Sequence, residues 1–324
     1  MKFRRFCLIF LVTIILLSGC IPRNPAAPNP DSCPLPPDTC LRGAWVAVVW
    51  NIDFPKDAKK SDIDKIVNKA AANKLNALFF QVRPWADAVY HSEIFPWSSF
   101  INYNGFDVLE YMIKKCHESG IKLHAWINPF RGLPYSPSDP HAREIILAGV
   151  TEIIENYDVD GIHYDDYFYP EGFIDDLTPD ERRNCIDELI RQTHELCRAA
   201  GVIFGVSPSG IWANKSNNPL GSKTLGFESY YAIYADSRGW VKKGYVDYIA
   251  PQIYWYRGQK NSDFDIVFDW WRDVCTGTDV LLYIGLAGYK VGTGGAWNKG
   301  ELSAQMELAA KYANGYIVFS FTNV

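Results

Sequence analysis

The feature that most constrains this chain is a unit that recurs after residue 40: a short apolar strand, a polar turn, then an amphipathic helical stretch. The strands read LRGAWVAVV (41–49), NALFFQVRP (76–84), IKLHAWINP (121–129), DGIHYDDY (160–167), VIFGVSP (202–208), DYIAPQIY (247–254), VLLYIGLAG (280–288) and YIVFSFT (316–322). Between them, stretches such as SDIDKIVNKAAANK and PDERRNCIDELIRQTHELCRAAG open with acids and carry apolar residues at helical spacing. Strands that alternate with helices build a parallel sheet, and eight of them predict the closed (β/α)8 TIM barrel of the α/β class over residues 41–324. No eighth helix follows the last strand in the sequence, which stops at Val324. The expectation is therefore a barrel lacking its last helix.

In such a barrel the outward side of each strand packs on helices and is apolar, while the inward side near the top can be polar, so alternation gives direction. On the third strand Leu123, Ala125 and Ile127 face helices, leaving His124, Trp126 and Asn128 inside. On the second, Leu78, Phe80 and Val82 go out, with Gln81 and Arg83 in. The sixth places Gln252 and Tyr254 inside, and the fifth Ser207. On the last strand Ile317, Phe319 and Phe321 are assigned outward, where they would lie uncovered without a final helix.

The fourth strand runs into VDGIHYDDYFYP (159–170), which sets Asp165 beside Asp166. Like charges side by side are costly unless water, a cation or a shared proton offsets them. Alternation puts His163, Asp165 and Tyr167 inside; Asp166 joins them only if the strand breaks or bulges there. Active sites of these barrels form at the C-terminal strand ends, so the pair marks the rim of a pocket. Arg83, Asn128, Ser207, Gln252 and Tyr254 are candidates to hold substrate hydroxyls or amides. Trp85, Trp126, Tyr167, Trp212 and Trp255 are candidates to stack on flat apolar faces. His124 and His163 lie deeper on their strands and are assigned to hydrogen bonding behind the site.

With those residues placed, RGAWVAVVWNIDFP, NALFFQVRPWADAVYHSEIFPWS, KLHAWINPFRG, DGIHYDDYFYP, FGVSPSGIWAN and DYIAPQIYW together resemble the family 10-like glycosyl hydrolases, a domain of bacterial envelope lipoproteins. The resemblance runs from residue 41 to about 323. It implies a (β/α)8 hydrolase of glycans, with members linked to peptidoglycan strands and the fourth-strand aspartates in the catalytic position. The departure from the family pattern is the missing final helix. Glycoside cleavage needs an acid for the leaving oxygen and a second group for the oxocarbenium-like centre. Two adjacent carboxyls divide those roles when one stays protonated. The assignment favoured is Asp166 as acid and Asp165 as stabiliser, with the reverse open. Where the sugar carries a 2-acetamido group, that group is an alternative nucleophile and Asp165 would orient it.

The first twenty residues, MKFRRFCLIFLVTIILLSGC, combine a basic start, an apolar run and small residues, the pattern of a secretory signal. Leu17-Ser18-Gly19-Cys20 resembles a lipobox, which predicts export and lipidation at Cys20 and a partner in the membrane through that lipid. Residues 21–40, rich in proline, read as a stiff tether, and Cys33 and Cys40 could close a small loop in it. Cys116, Cys185, Cys197 and Cys275 sit in helical patterns as free thiols. The net charge of −5, with no basic run beyond MKFRR, excludes a nucleic-acid footprint. H-E-x-x-H and P-loop patterns are absent, and GTGGAW (292–297) reads as a mouth loop, so neither metal nor cofactor is called for. Two rivals share the barrel: a carbohydrate-binding lipoprotein that does not cut, and a metal-dependent amino-sugar deacetylase. Linkage and oligomeric state are not legible.

Overall fold

The computed structural model describes residues 40–170 and 175–324. The signal segment, Cys20, the tether and Cys33 lie outside the described residues, and with them the pairing of Cys33 with Cys40. Nine parallel strands form one sheet in the order β7-β6-β5-β4-β3-β2-β1-β9-β8. They are β1 (Leu41–Val46), β2 (Ala77–Arg83), β3 (Lys122–Ile127), β4 (Gly161–Tyr164), β5 (Ile203–Val206), β6 (Tyr248–Ile249), β7 (Leu281–Leu282), β8 (Ile284–Ala287) and β9 (Gly315–Phe319). β7 and β8 are two pieces of one barrel strand: the first pairs with β6 and the second with β9. The amide of Gly285 donates to Pro251 O at 2.9 Å, tying the second piece back to the end of β6 and closing the ring. Nine strands thus make the eight-membered barrel that the strand count predicts.

The principal helices are α1 (Lys60–Ala72), α2 (Val108–Glu118), α3 (Pro140–Asn156), α4 (Pro179–Ala200), α5 (Ser229–Ala232), α6 (Ser237–Lys243), α7 (Phe264–Cys275) and α8 (Lys299–Tyr312). Side chains satisfy their orphan first-turn amides: Asp107 caps α2, Thr178 caps α4 in a reciprocal box with Glu181, and Asn298 caps α8. Their apolar faces cover the outward strand residues in one continuous core that includes Leu78, Phe80, Ala125, Ile162 and Tyr164. Inside the barrel a second cluster of Trp45, Phe79, Trp126, Tyr248 and Ile317 fills the lumen. Burying each such side chain contributes about 1.5–3 kcal/mol, so the lumen is a packed floor and not a pore.

Two parity assignments are overturned. Ile317 faces the lumen, not the helices, because β9 pairs with β1 in a register that sets Ile317 level with Gly43, and neighbours in a parallel ladder share a face. Tyr316 and Val318 therefore take the outward side, where they and Phe321 are buried in the outer core, so the expected uncovered face does not exist. Arg83 also points outward. A bulge on β2 sets Gln81 level with Trp126 but Arg83 level with the outward Ile127, and the extra residue reverses its side. Cys116, Cys197 and Cys275 are buried and Cys185 partly so; burial pushes the Cys116 and Cys275 thiols up to about 12. Among the described residues, no helix is long and apolar enough to cross a membrane.

Candidate active site

β4 ends at Tyr164, and the chain then turns sharply: the Tyr167 amide donates to Asp165 Oδ1 at 3.2 Å and the Phe168 amide to Asp166 O at 3.0 Å. This break brings Asp166 into the same pocket as Asp165 despite its opposite position in the alternation. The pocket, about 250 Å³, opens at the C-terminal ends of the strands. Asp165, Asp166, Trp126, Asn128, Tyr167, Ser207, Gln252 and Tyr254 all line it. Asp165 is almost fully buried, whereas Asp166 keeps partial access.

Asp165 Oδ2 accepts from Trp126 Nε1 at 3.0 Å and from Asn128 Nδ2 at 2.5 Å. Asn128 is oriented in turn by Gln81, whose Nε2 donates to Asn128 Oδ1 at 2.8 Å. Gln81 Oε1 accepts the amides of Val48 and Val49, each at 3.0 Å, so one side chain fixes both the loop after β1 and the donor on Asp165. Burial and the charge of Asp166 push Asp165 well above the usual carboxylate range, against the pull of its donors. Burial pushes Asp166 up to about 6, opposed by hydrogen bonds that include Gln252 and by the charge of Arg131. Two coupled carboxyls so placed hold one proton between them near neutrality. Three donors on Asp165 oppose its rise, and Asp166, at about 6, is the carboxyl poised to exchange its proton near neutrality.

Beneath the pocket, Trp45 Nε1 donates to His163 Nε2 at 3.1 Å, which makes that nitrogen an acceptor and places the ring proton on Nδ1. His163 Nδ1 then donates to Tyr248 Oη at 3.0 Å, and that hydroxyl to His124 Nδ1 at 3.0 Å. Burial keeps both imidazoles neutral, with His124 pushed down to about 4. Ser207 Oγ, at 2.9 Å from His163 Nε2, links this network to the pocket.

Three residues named from the sequence lie elsewhere. The Arg83 guanidinium is fully buried between β2 and α3, 3.6 Å from the Phe95 ring centroid, because of the β2 bulge. Trp212 is buried under the loop after β5, where its Nε1 donates to Asp236 Oδ1 at 3.0 Å and its ring stacks on Trp270. Trp255 packs against the outer core and its carbonyl accepts from Gln305. Trp85 is exposed at the rim, where it meets the pocket through Arg131.

Other lining residues carried no sequence signal strong enough to name them: Trp45, Trp50, Arg131 and Phe319. Phe319 was hidden by the wrong parity; the polar Ser320 beside it gives no guide, since it lies past the last ladder pair and bonds Asp53. Trp50 sits in an irregular loop with a left-handed φ of 53° and is 66% exposed. A bulky residue held there is strained, and the Asn51 side chain, bonded to Phe54 O and Phe100 O, helps hold it.

An acid pair at the end of the fourth strand, walled by indole and phenol rings, suits the cleavage of a ring-bearing polar substrate. The glycosyl hydrolase-like 10 family matches the chain over residues 40–132, 128–178 and 170–300. The chain belongs to that family. Glycosyl hydrolase YngK of Bacillus subtilis (strain 168) is 33% identical over 314 residues, which cover 78% of this chain and 62% of YngK, less than two thirds of that protein's length. Glycosyl hydrolase DigH of Escherichia coli (strain K12) is 32% identical over 340 residues, covering 83% of this chain and 77% of DigH. Among solved structures, the catalytic domain of a β-amylase from Paenibacillus polymyxa has a TM-score of 0.59 at 11% identity, over 88% of this chain and 93% of that one. A chitinase from Chromobacterium violaceum ATCC 12472 has a TM-score of 0.55 at 13% identity, over 87% and 94%. At such identities these two show the barrel fold alone. Membership in a glycosyl hydrolase-like family points the chemistry of the pocket to glycans.

Proposed function

We propose that this protein hydrolyses O-glycosidic bonds in amino-sugar strands of the cell envelope, peptidoglycan above all, with Asp166 as proton donor and Asp165 as the charged partner. The observation that carries the reading is the buried, coupled Asp165–Asp166 pair on the floor of an aromatic-walled pocket in a chain of this family. In the step proposed, the Asp166 proton passes to the glycosidic oxygen as its bond to C1 breaks. The Asp165 carboxylate stabilises the positive charge that develops at C1. Asp165 and Asp166 are the only carboxyls among the lining residues described. Attack at C1 from the far face then falls to water, whose extra proton is lost to solvent while Asp166 is reprotonated from solvent, or to the substrate's own 2-acetamido oxygen. In that second case a water on the leaving-group side opens the oxazoline and gives its proton to Asp166. Trp50, Trp126, Tyr167 and Phe319 offer faces for the sugar rings, and Gln252, Ser207 and Tyr254 offer polar groups for their hydroxyls and amides.

The lipobox at Cys20 supports the choice of an envelope glycan, with the protein exported and held at a membrane by its lipid and the barrel standing off on the tether. The reading is tested by incubating the protein with purified peptide-free and peptide-bearing cell-wall glycan beside Asp165→Asn and Asp166→Asn, and following soluble products by mass spectrometry. Sugar fragments released by the wild type alone are expected. A folded wild type that retains glycan as well as both variants do, and releases nothing, would replace the hydrolase by a binding protein.

A further inference from the structure

Arg131 lines the pocket beside the two aspartates and is the one cation among its lining residues described. Its guanidinium carbon lies 4.4 Å from the Tyr167 ring centroid, 4.5 Å from Trp85 and 5.1 Å from Trp50. It makes no hydrogen bond or close ion pair with any described residue. Aromatic contacts engage the flat faces of a guanidinium and leave its edge, with five N–H donors in a fixed fork, free.

The cage around it is built at a cost. Trp50 is held in the left-handed region, as described above. Gly132, the next residue along, has φ +80°, and a Cβ there would fall 1.7 Å from Trp85 Cδ1. Only glycine lets Trp85 close down on the chain beside Arg131. A strained tryptophan and an obligatory glycine thus converge on one arginine that has no hydrogen-bond partner among the described residues, beside a carboxyl pair in which Asp165 already has three donors. An unpaired, pre-oriented fork of this kind matches a planar anion best, and bidentate pairing with a carboxylate is its strongest use.

We propose that Arg131 is a specificity residue that binds a carboxylate carried by a sugar of the glycan, so that the site takes an acidic strand in preference to a neutral one. The proposal rests on the glycan-hydrolase reading. A carboxylate of this kind is borne by the lactyl ether of a muramic acid or by C6 of a uronic acid.

The test measures affinity on the full chain carrying Asp166→Asn, so that binding is read without turnover, by isothermal titration. The probes are peptide-free strands of alternating N-acetylglucosamine and N-acetylmuramic acid, the same strands with their carboxyls amidated, chitopentaose, and a hyaluronan oligosaccharide. Hydrogen bonds to a charged group contribute about 1.5–3 kcal/mol, so the acidic strand is expected to bind about 10–100-fold more tightly than its amidated form. Adding Arg131→Met brings that ratio toward one, and Arg131→Lys, which keeps the charge without the fork, retains part of it. A merely structural arginine would weaken both forms equally and leave the ratio unchanged. Tight binding of hyaluronan shows that any sugar carboxylate suffices, and weak binding assigns the subsite to the lactyl group; both support the proposal. Equal affinity for acidic and amidated strands, or a ratio that survives Arg131→Met in a folded protein, overturns it. Acid-selective binding without hydrolysis by the wild type sinks the hydrolase reading and leaves this one standing; hydrolysis without acid selectivity does the reverse.

Discussion

Replacing Asp166 by asparagine is expected to make the protein more stable at pH 7 while removing its activity. Burial raises the Asp166 carboxyl from its ordinary 3.8 to about 6. A carboxyl raised on folding binds its proton more tightly in the folded chain, so stability falls as pH rises. Below about pH 4 both states are protonated and nothing is lost. Between about pH 4 and about pH 6 the loss grows, and above that it is constant. At about 1.36 kcal/mol per pH unit, the full loss is about 3 kcal/mol; partial access of water to Asp166 reduces it to about 2–3 kcal/mol. Asparagine has the same shape and no charge, and it also relieves the repulsion that raises Asp165. The assay is guanidinium denaturation of wild type and Asp166→Asn at pH 7 and pH 4. The gain in unfolding free energy at pH 7 should exceed that at pH 4 by about 2–3 kcal/mol. A difference of zero, or a variant less stable at pH 7 than at pH 4 relative to wild type, would refute the claim that the folded pocket raises the Asp166 carboxyl.

Further expectations concern single side chains around the same pocket. Gln252→Met removes a hydrogen bond that lowers Asp166, so the alkaline limb of kcat/KM against pH should move up by about one unit; a limb that stays put or moves down contradicts the contact. The Arg83 guanidinium is buried without a hydrogen-bond partner among the described residues, and burial lowers its pKa. Arg83→Met should therefore raise stability by about 1–4 kcal/mol in thermal or chemical denaturation and leave kcat/KM unchanged, whereas a loss of activity would return Arg83 to the pocket. Trp50→Gly should relieve the left-handed strain, adding about 1 kcal/mol of stability, and raise KM for glycan about tenfold; an unchanged KM would show that no sugar rests on the indole.

The barrel was legible because its signal is redundant: eight apolar strands with helices between them leave few other closures, and alternation on β3 alone placed Trp126 and Asn128 correctly. Alternation fails wherever the ladder is irregular. One extra residue at the β2 bulge sent Arg83 outward, and nothing local in QVRP marks it. In β9 both sides are apolar, so only the pairing with β1 decides that Ile317 and Phe319 face in. The aspartate pair was visible because two adjacent charges after an apolar run demand an explanation. Trp212 looked exposed in FGVSPSGIWAN, yet the long segment after β5 folds over it. Trp50 and Arg131 stand in loops whose path depends on Gln81, Asn51 and Gly132, contacts that join distant parts of the chain and that periodicity does not encode.

The central claim is that Asp166 protonates the leaving oxygen of a glycosidic bond, and the leaving group tests it most directly. Wild type and Asp166→Asn are compared on cell-wall glycan and on a 2,4-dinitrophenyl glycoside of the same sugar, whose leaving group departs without a proton. The account predicts a loss in kcat/KM of about 10²–10⁴-fold on the glycan and a far smaller one on the activated glycoside. Equal losses on both substrates, or none on the glycan, would contradict it.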